Sequence, residues 1–209
     1  MGRDMSVAGS NARAPGTTVR VAAWADADDL SATLARAFAD DPMMLHLLPP
    51  PARLKMPRLF KLMFKLGLPY GASYVTNGFE AVTFWRPPGG WHVHFKDYIL
   101  NAPELLGVFG TGVFNVMSTM DRVEKVHPQK PHWYLQAIGT DPAKQGKGFG
   151  GIILRDQLAR ADAAGMPCYL ESSKDTNIPI YQSFGFKITG EIKIPSGPTL
   201  WPMWREPSK

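Results

Sequence analysis

The sequence predicts a single mixed α/β domain, and three observations carry the prediction. The 209 residues are 44% hydrophobic and 11% aromatic, enough to fill one core at a length where a chain buries roughly 70% of its unfolded surface. Two strand-like alternations flank Asn77-Gly78, the pair that tight antiparallel hairpins prefer. From His132 onward the pattern runs strand, glycine-rich loop, helix, strand, helix, with the glycines at a strand-to-helix joint.

Residues 1–16 mix Gly, Ser, Asn, Arg and Pro without apolar periodicity, which predicts a disordered N-terminal tail and a domain over residues 17–209. Residues 18–23 alternate as a short strand. Residues 26–39 space Leu30, Leu34, Ala35 and Phe38 at helical intervals behind an acidic first turn, and Asp41-Pro42 breaks that helix. Residues 52–66 carry five basic and no acidic side chains among apolar ones, a pattern that suits a helix lying on a membrane and, the reading preferred here, a helix packed on a sheet with its lysine stems along apolar neighbours. Residues 72–76 and 81–85 are the hairpin strands. Residues 91–130 are the least regular; Pro103-Glu104 suits a first helical turn and predicts one helix over 102–120. A strand over 132–139, a helix over 150–164, a strand over 168–172, a helix over 178–184 and strand pieces up to Trp204 complete the chain.

Charge and cysteine usage narrow the setting. Lys and Arg number 23 against 18 acids, a net charge of +5, but no basic tail gathers that charge, so no nucleic-acid partner is expected. Cys168 is the lone cysteine; it allows no intramolecular disulfide and fits the reducing cytoplasm. No signal-peptide core follows the N-terminus. The longest charge-free apolar run, residues 105–120, is interrupted by Gly107, Gly110 and Gly112 and is short for a bilayer span, so no membrane partner is expected either. His92-x-His94 places two rings on one strand face, but without a third ligand no metal site follows. The residues specify no oligomeric state, homodimer or otherwise.

The chemistry is concentrated in Gln145-Gly146-Lys147-Gly148-Phe149-Gly150-Gly151, which follows a strand and opens a helix. Glycines let the backbone come close to a ligand, and helix N-terminal amides bind phosphate, so the segment points to an anionic diphosphate ligand. Two ligand classes fit. Gly146, Gly148 and Gly151 satisfy G-x-G-x-x-G, and Glu171 falls 20 residues later, where a dinucleotide fold places its ribose-binding acid; that would make the chain an NAD-dependent oxidoreductase. Against it, a polar connection over 140–145 separates strand from glycines. Only 38 residues remain after Glu171, too few for the second half of a doubly wound sheet.

Read as Gln145-x-x-Gly148-x-Gly150, the same segment resembles the pyrophosphate loop of the GNAT acetyltransferase superfamily. Ile138-Gly139-Thr140-Asp141-Pro142 resembles the exit of that family's fourth strand, and the block from Asn177 through Tyr181 to Gly185-Phe186 resembles its fourth helix and following strand. The likeness is closest to the puromycin N-acetyltransferase-like branch, through His132-Trp133-Tyr134-Leu135, Leu170-Glu171-Ser172-Ser173 and Pro195-Ser196-Gly197-Pro198 with Trp201 and Met203. It covers roughly residues 130–205; before that, only Phe38-Ala39-Asp40-Asp41-Pro42 is similar.

The resemblance implies an α/β (α+β) fold with a GNAT-like mixed, mostly antiparallel central sheet of about six to seven strands, flanked by helices, with a helical insertion before the fourth strand. It implies acetyl-CoA as cosubstrate. The pyrophosphate would lie on the backbone of Gln145, Gly146, Lys147, Gly148, Phe149 and Gly150, and the pantetheine arm along the strand edge at Ile138 and Thr140. Asn177 would bind that arm or cap its helix. Tyr181 would protonate the departing thiolate. The strand position that is often glutamate in histone-modifying members falls at Tyr134, which leaves Glu171 as the candidate general base, with His132 a lesser one. The implied activity is acetyl transfer to a primary amine. A small, puromycin-like or other amine is the expected acceptor, because the apolar side chains of residues 91–130 could wall off a closed pocket. The remaining alternative is a coenzyme A-binding or interaction module without catalysis.

Overall fold

The computed structural model describes residues 16–92 and 95–208. The tail expected over residues 1–16 therefore lies, but for Gly16, outside the described residues, as does His94. In chain order the elements are β1 (Val19–Val21), α1 (Ala27–Ala37), α2 (Pro42–Leu47), α3 (Met56–Gly67), β2 (Ser73–Thr76), β3 (Ala81–Arg86), α4 (Phe95–Leu100), α5 (Ala102–Phe109), α6 (Val113–Val126), β4 (Trp133–Thr140), α7 (Phe149–Ala163), β5 (Cys168–Ser172), α8 (Ile178–Ser183), β6 (Lys187–Ile188), β7 (Ile192–Lys193) and β8 (Thr199–Arg205).

The strands form one sheet in the order β1-β2-β3-β4-β5-β8-β6, with β7 also on β8. Eight strands stand where six to seven were expected, because the C-terminal strand pieces resolve into three: β8 holds β5, β6 and β7 along its length. Among the described residues only β4 and β5 run parallel; every other pairing is antiparallel. A doubly wound sheet is mostly parallel, and a sheet with one parallel pair is not one, so this topology overturns the dinucleotide reading of Gly146, Gly148 and Gly151.

Two cores sandwich the sheet. On one face Leu30 and Leu34 of α1 meet Phe60 and Phe64 of α3 over Val75, Val82, Phe84 and Ala137. On the other, Ile153, Leu154 and Leu158 of α7 cover Tyr74, Trp85, Leu135, Cys168 and Leu170. Each fully buried Leu, Ile or Phe contributes roughly 1.5–3 kcal/mol. The basic helix is α3, and its lysines pair with acids instead of facing lipid: Lys61 with Asp28 and Lys65 with Glu104. Among the described residues no helix is long and apolar enough to cross a membrane.

Two departures from the sequence expectation have local causes. Asp41-Pro42 ends α1 and also starts α2: Pro42 takes the first helical position, and the Asp41 carboxylate accepts the Met44 amide at 2.9 Å. The single helix expected over 102–120 is broken at Gly110, whose φ of +55° and ψ of −135° only glycine adopts readily. α6 then starts afresh and runs on to Val126. It lays Val116, Met120 and Val123 against Met43, Leu47, Ile192 and Leu200, so the insertion covers α2 and the β7–β8 hairpin.

Candidate active site

The site begins where the sheet comes apart. β4 and β5 share two register pairs, Trp133 with Cys168 and Tyr134 with Tyr169, and then separate. A bulge accompanies the separation: Phe84 faces Ala137 and Trp85 faces Leu135, leaving Gln136 as an extra residue on β4. Side-chain alternation changes phase there. Leu135 packs toward α7, Ala137 toward α1, and Ile138 toward α7 again. Beyond the fork, the β5-facing edge of β4 has no strand partner among the described residues, so its backbone groups are open to a ligand.

A cleft of about 730 Å³ occupies the fork, a size typical of small-molecule sites. It is walled by the end of α1 through Asp41, by Ile138, Gly139 and Thr140, by the loop into α7, and by the segment from Lys174 through α8 to Phe184. In the loop, Gly146 and Gly148 have φ of +76° and +82°, a left-handed conformation that side chains resist. The first helical bond of α7 runs from the Ile152 amide to the Gly148 carbonyl at 3.0 Å. The amides of Phe149, Gly150 and Gly151 therefore lack intrahelical acceptors and form an anion site at the start of a 15-residue helix. A methyl on Gly150 would lie 2.9 Å from Thr140 Oγ1, which fixes α7 tightly against β4. Gln145 Nε2 donates to the Thr140 carbonyl at 3.3 Å. Arg36 grips Asp141 with Nε at 2.8 Å and Nη2 at 2.6 Å, tying α1 to the loop. The Ala143 amide first, and Arg36 second, hold Asp141 below the usual carboxylate range. Lys147 is exposed and is not part of the wall.

Tyr181, Asn177 and Asp41 line the same cleft. Tyr181 packs edge-on to Phe186 at 6.1 Å between ring centres. Burial, and then the negative charge of Asp41, push its hydroxyl above the ordinary tyrosine value, so it holds its proton at neutral pH. Asn177 stands at the N-cap of α8 but makes no side-chain cap bond; its side chain is free for the cleft. Asp41 is 5% exposed; besides the Met44 amide it accepts the Ser173 hydroxyl. Neighbouring Asp40 pairs with Lys174. Asp41 was not among the expected site residues, although two acids directly before a helix-starting proline were a readable signal.

Glu171, the expected base, is not among the residues lining the cleft. Its side chain is 6% exposed and lies with His127, whose Nδ1 is 3.5 Å from Glu171 Oε1. His132, Tyr134 and Tyr169 complete this buried group. Burial, with the adjacent Glu171 carboxylate, pushes the hydroxyls of Tyr134 and Tyr169 well above their ordinary value. His92 meets Glu124 at 2.6 Å, and no group of three or more metal-ligating side chains occurs among the described residues.

Comparison with known proteins bears on this geometry directly. The family model of the acetyltransferase (GNAT) family matches residues 61–186. An uncharacterized N-acetyltransferase of Schizosaccharomyces pombe is 27% identical over 169 residues, covering 75% of this chain and 68% of that protein. A structure of a histone acetyltransferase HPA2 and related acetyltransferase from Corynebacterium glutamicum superposes with a TM-score of 0.70 at 28% identity, covering 92% of this chain and 97% of the other. Arylalkylamine N-acetyltransferase 2 of Aedes aegypti shares the fold, with a TM-score of 0.66 at 14% identity over 92% of this chain and 100% of its own. The cleft at the β4–β5 fork thus stands in a chain that belongs to the GNAT acetyltransferase family and is an acyl-CoA-dependent N-acetyltransferase.

Proposed function

We propose that the chain, acting as one domain over residues 17–209, transfers acetyl from acetyl-CoA to the primary amine of a small cationic molecule. Tyr181 is the general acid, and Asp41 binds the ammonium and takes its proton. The observation that carries this reading is that a buried carboxylate and a tyrosine that keeps its proton line the same cleft as unpaired amides and positive-φ glycines.

The donor fits the loop amides. The loop Gln145–Gly150 would take the pyrophosphate, Lys147 adding charge from its exposed position, while Ile138, Thr140 and Asn177 would hold the pantetheine arm. The amine must lose its proton before it attacks, and Asp41 would accept it. As the tetrahedral intermediate collapses, the thiolate leaves and Tyr181 supplies its proton. A single buried carboxylate facing a small cleft suits one ammonium group, and puromycin-like amines are the first acceptors to try.

Thiol release with acetyl-CoA over a panel of small amines, puromycin-like amines and lysine peptides tests the reading. Turnover on small cationic amines, rising with pH as the amine loses its proton, is expected. Efficient acetylation of lysine peptides, with silence across the small amines, would overturn the choice of acceptor.

A further inference from the structure

The segment that leaves β5 is pinned residue by residue. The Ser172 hydroxyl donates to the Lys174 carbonyl at 3.0 Å, and the Asn177 amide donates to the same carbonyl at 3.1 Å. The Ser173 hydroxyl donates to Asp41. The Trp201 indole Nε1–H donates to the Asp175 carboxylate at 2.6 Å. With the backbone held on both sides of Lys174, movement is left to its side chain. That side chain is 24% exposed, lines the cleft, and ends in an ion pair with Asp40, just past α1.

A lysine here is itself a primary amine inside the cleft of an N-acetyltransferase. Lys144 and Lys174 are the lysines of the cleft wall. Lys144 belongs to the turn that leads into the glycine loop. Lys174 belongs to the segment that carries Asn177 and Tyr181, and its neighbour Ser173 touches Asp41. The partner of its ammonium is a weak hold, because the Asp40 side chain is 79% exposed and water competes for the pair. A lysine stem is four carbons long and flexible, so from this fixed root the nitrogen can leave Asp40 and turn toward Asp41.

We propose that Lys174 is a self-acetylation site: when no small amine is present, its side chain takes the acetyl group from acetyl-CoA bound in the same chain. The inference rests on the reading of the cleft given above. A lysine ammonium and acetyl-CoA give N-acetyl-lysine, free thiol and one proton; the N–C bond forms and the C–S bond breaks. Nitrogen loses two protons. The first leaves to bulk water at the exposed Asp40 carboxylate, and the neutral amine, no longer held there, turns into the cleft. The second is lost to Asp41 on attack and makes good the proton that Tyr181 gives to sulfur. The product is uncharged and cannot restore the ion pair with Asp40, so the cleft wall gains one net negative charge.

The full chain incubated with acetyl-CoA alone, and followed by intact mass and peptide mapping, tests the inference. One acetyl group per chain is expected at Lys174, gained at least about 10-fold faster than at Lys144 or Lys147, with a first-order rate that does not depend on protein concentration. Lys174→Arg keeps a cation for Asp40 and should gain none. Acetylation spread evenly over the lysines, or equally fast at Lys174 in guanidinium-unfolded chain, is reaction from solution and overturns the site. A rate that rises with protein concentration is transfer between copies and overturns transfer within one chain. A wild type that acetylates small amines yet leaves Lys174 unmodified overturns this inference alone; one that acetylates neither itself nor any amine overturns it together with the reading of the cleft. The wild-type map decides even should Lys174→Arg fail to fold.

Discussion

Asp41→Asn separates chemistry from folding. The Asp41 carboxylate has two structural contacts, the Met44 amide at 2.9 Å, where it caps α2, and the Ser173 hydroxyl. Asparagine caps a helix about as well as aspartate, so Asp41→Asn should leave the melting temperature within about 1 °C, whereas Asp41→Ala loses a cap worth about 1 kcal/mol, or about 2–4 °C at this chain length. The rate behaves differently. Neither amide nor methyl can take the proton of an ammonium group, so both variants should fall about 10²- to 10⁴-fold in single-turnover acetyl transfer. A second signature follows from the Asp41 charge, which helps raise the Tyr181 hydroxyl pKa; without it that pKa should come down, visible as a shift in tyrosinate absorbance on alkaline titration. A folded Asp41→Asn that turns over within a factor of two of wild type would refute the assignment, as would rates that merely follow the melting temperatures.

Tyr181→Phe keeps the ring against Phe186 and deletes the hydroxyl; the chemical step should slow about 10- to 1000-fold with donor affinity unchanged, and an unaltered single-turnover rate would retire its role as acid. Gly148→Asp puts a carboxylate at a residue with φ of +82° beside the free amides of α7, so calorimetry should show acetyl-CoA binding sharply weakened; wild-type affinity in a folded variant would contradict the loop assignment. Arg205, 7% exposed, grips Asp162 through its Nη1 and Nη2 at 2.7 and 2.8 Å and is the main cause of the low Asp162 pKa. A depressed carboxylate pKa stabilises the fold above the unfolded value of about 3.9 and loses that contribution as pH falls through the folded value, so the stability gap between wild type and Asp162→Asn should be full at pH 7 and shrink below pH 4; a gap independent of pH would count against the pair.

The second half of the chain was legible because its signals are local. Gly148 starts a helix by its own backbone conformation, and residues 168–172 form the strand they predicted, to the residue. The candidate site was legible where it is built from such local blocks: Gln145, Gly146, Gly148, Phe149, Gly150, Asn177 and Tyr181 all line the cleft, as do Ile138 and Thr140. Asp41 was missed because nothing in the sequence brings residue 41 to residue 181; the packing of α1 on β3 and β4 does that. Glu171 illustrates the converse. Its position on β5 was read correctly, but which face it takes depends on strand phase at the fork, and there it turns to His127 and Tyr134 instead of the donor loop. Gly110 marked a break inside the insertion, yet a glycine within an apolar run also reads as a tolerated helix residue, so one helix was expected where two form.

The bulge at Gln136 gives the fork its chemical direction. Before it, Tyr134 turns toward His127 and Tyr169; after it, Ile138 and Thr140 turn toward α7 and its anion-binding amides. Asp41 follows α1, which packs on the other face of the sheet from α7, while Tyr181 packs with the α7 core. Under the proposed function a donor held at the α7 loop and an amine held at Asp41 therefore come from opposite faces and meet only in the gap between β4 and β5. Had the two strands stayed paired, the sheet would divide carboxylate from tyrosine. Under that reading the extra residue and the two-pair register matter to acetyl transfer as much as any charged group, because they open a place where base, thioester and acid would stand in line.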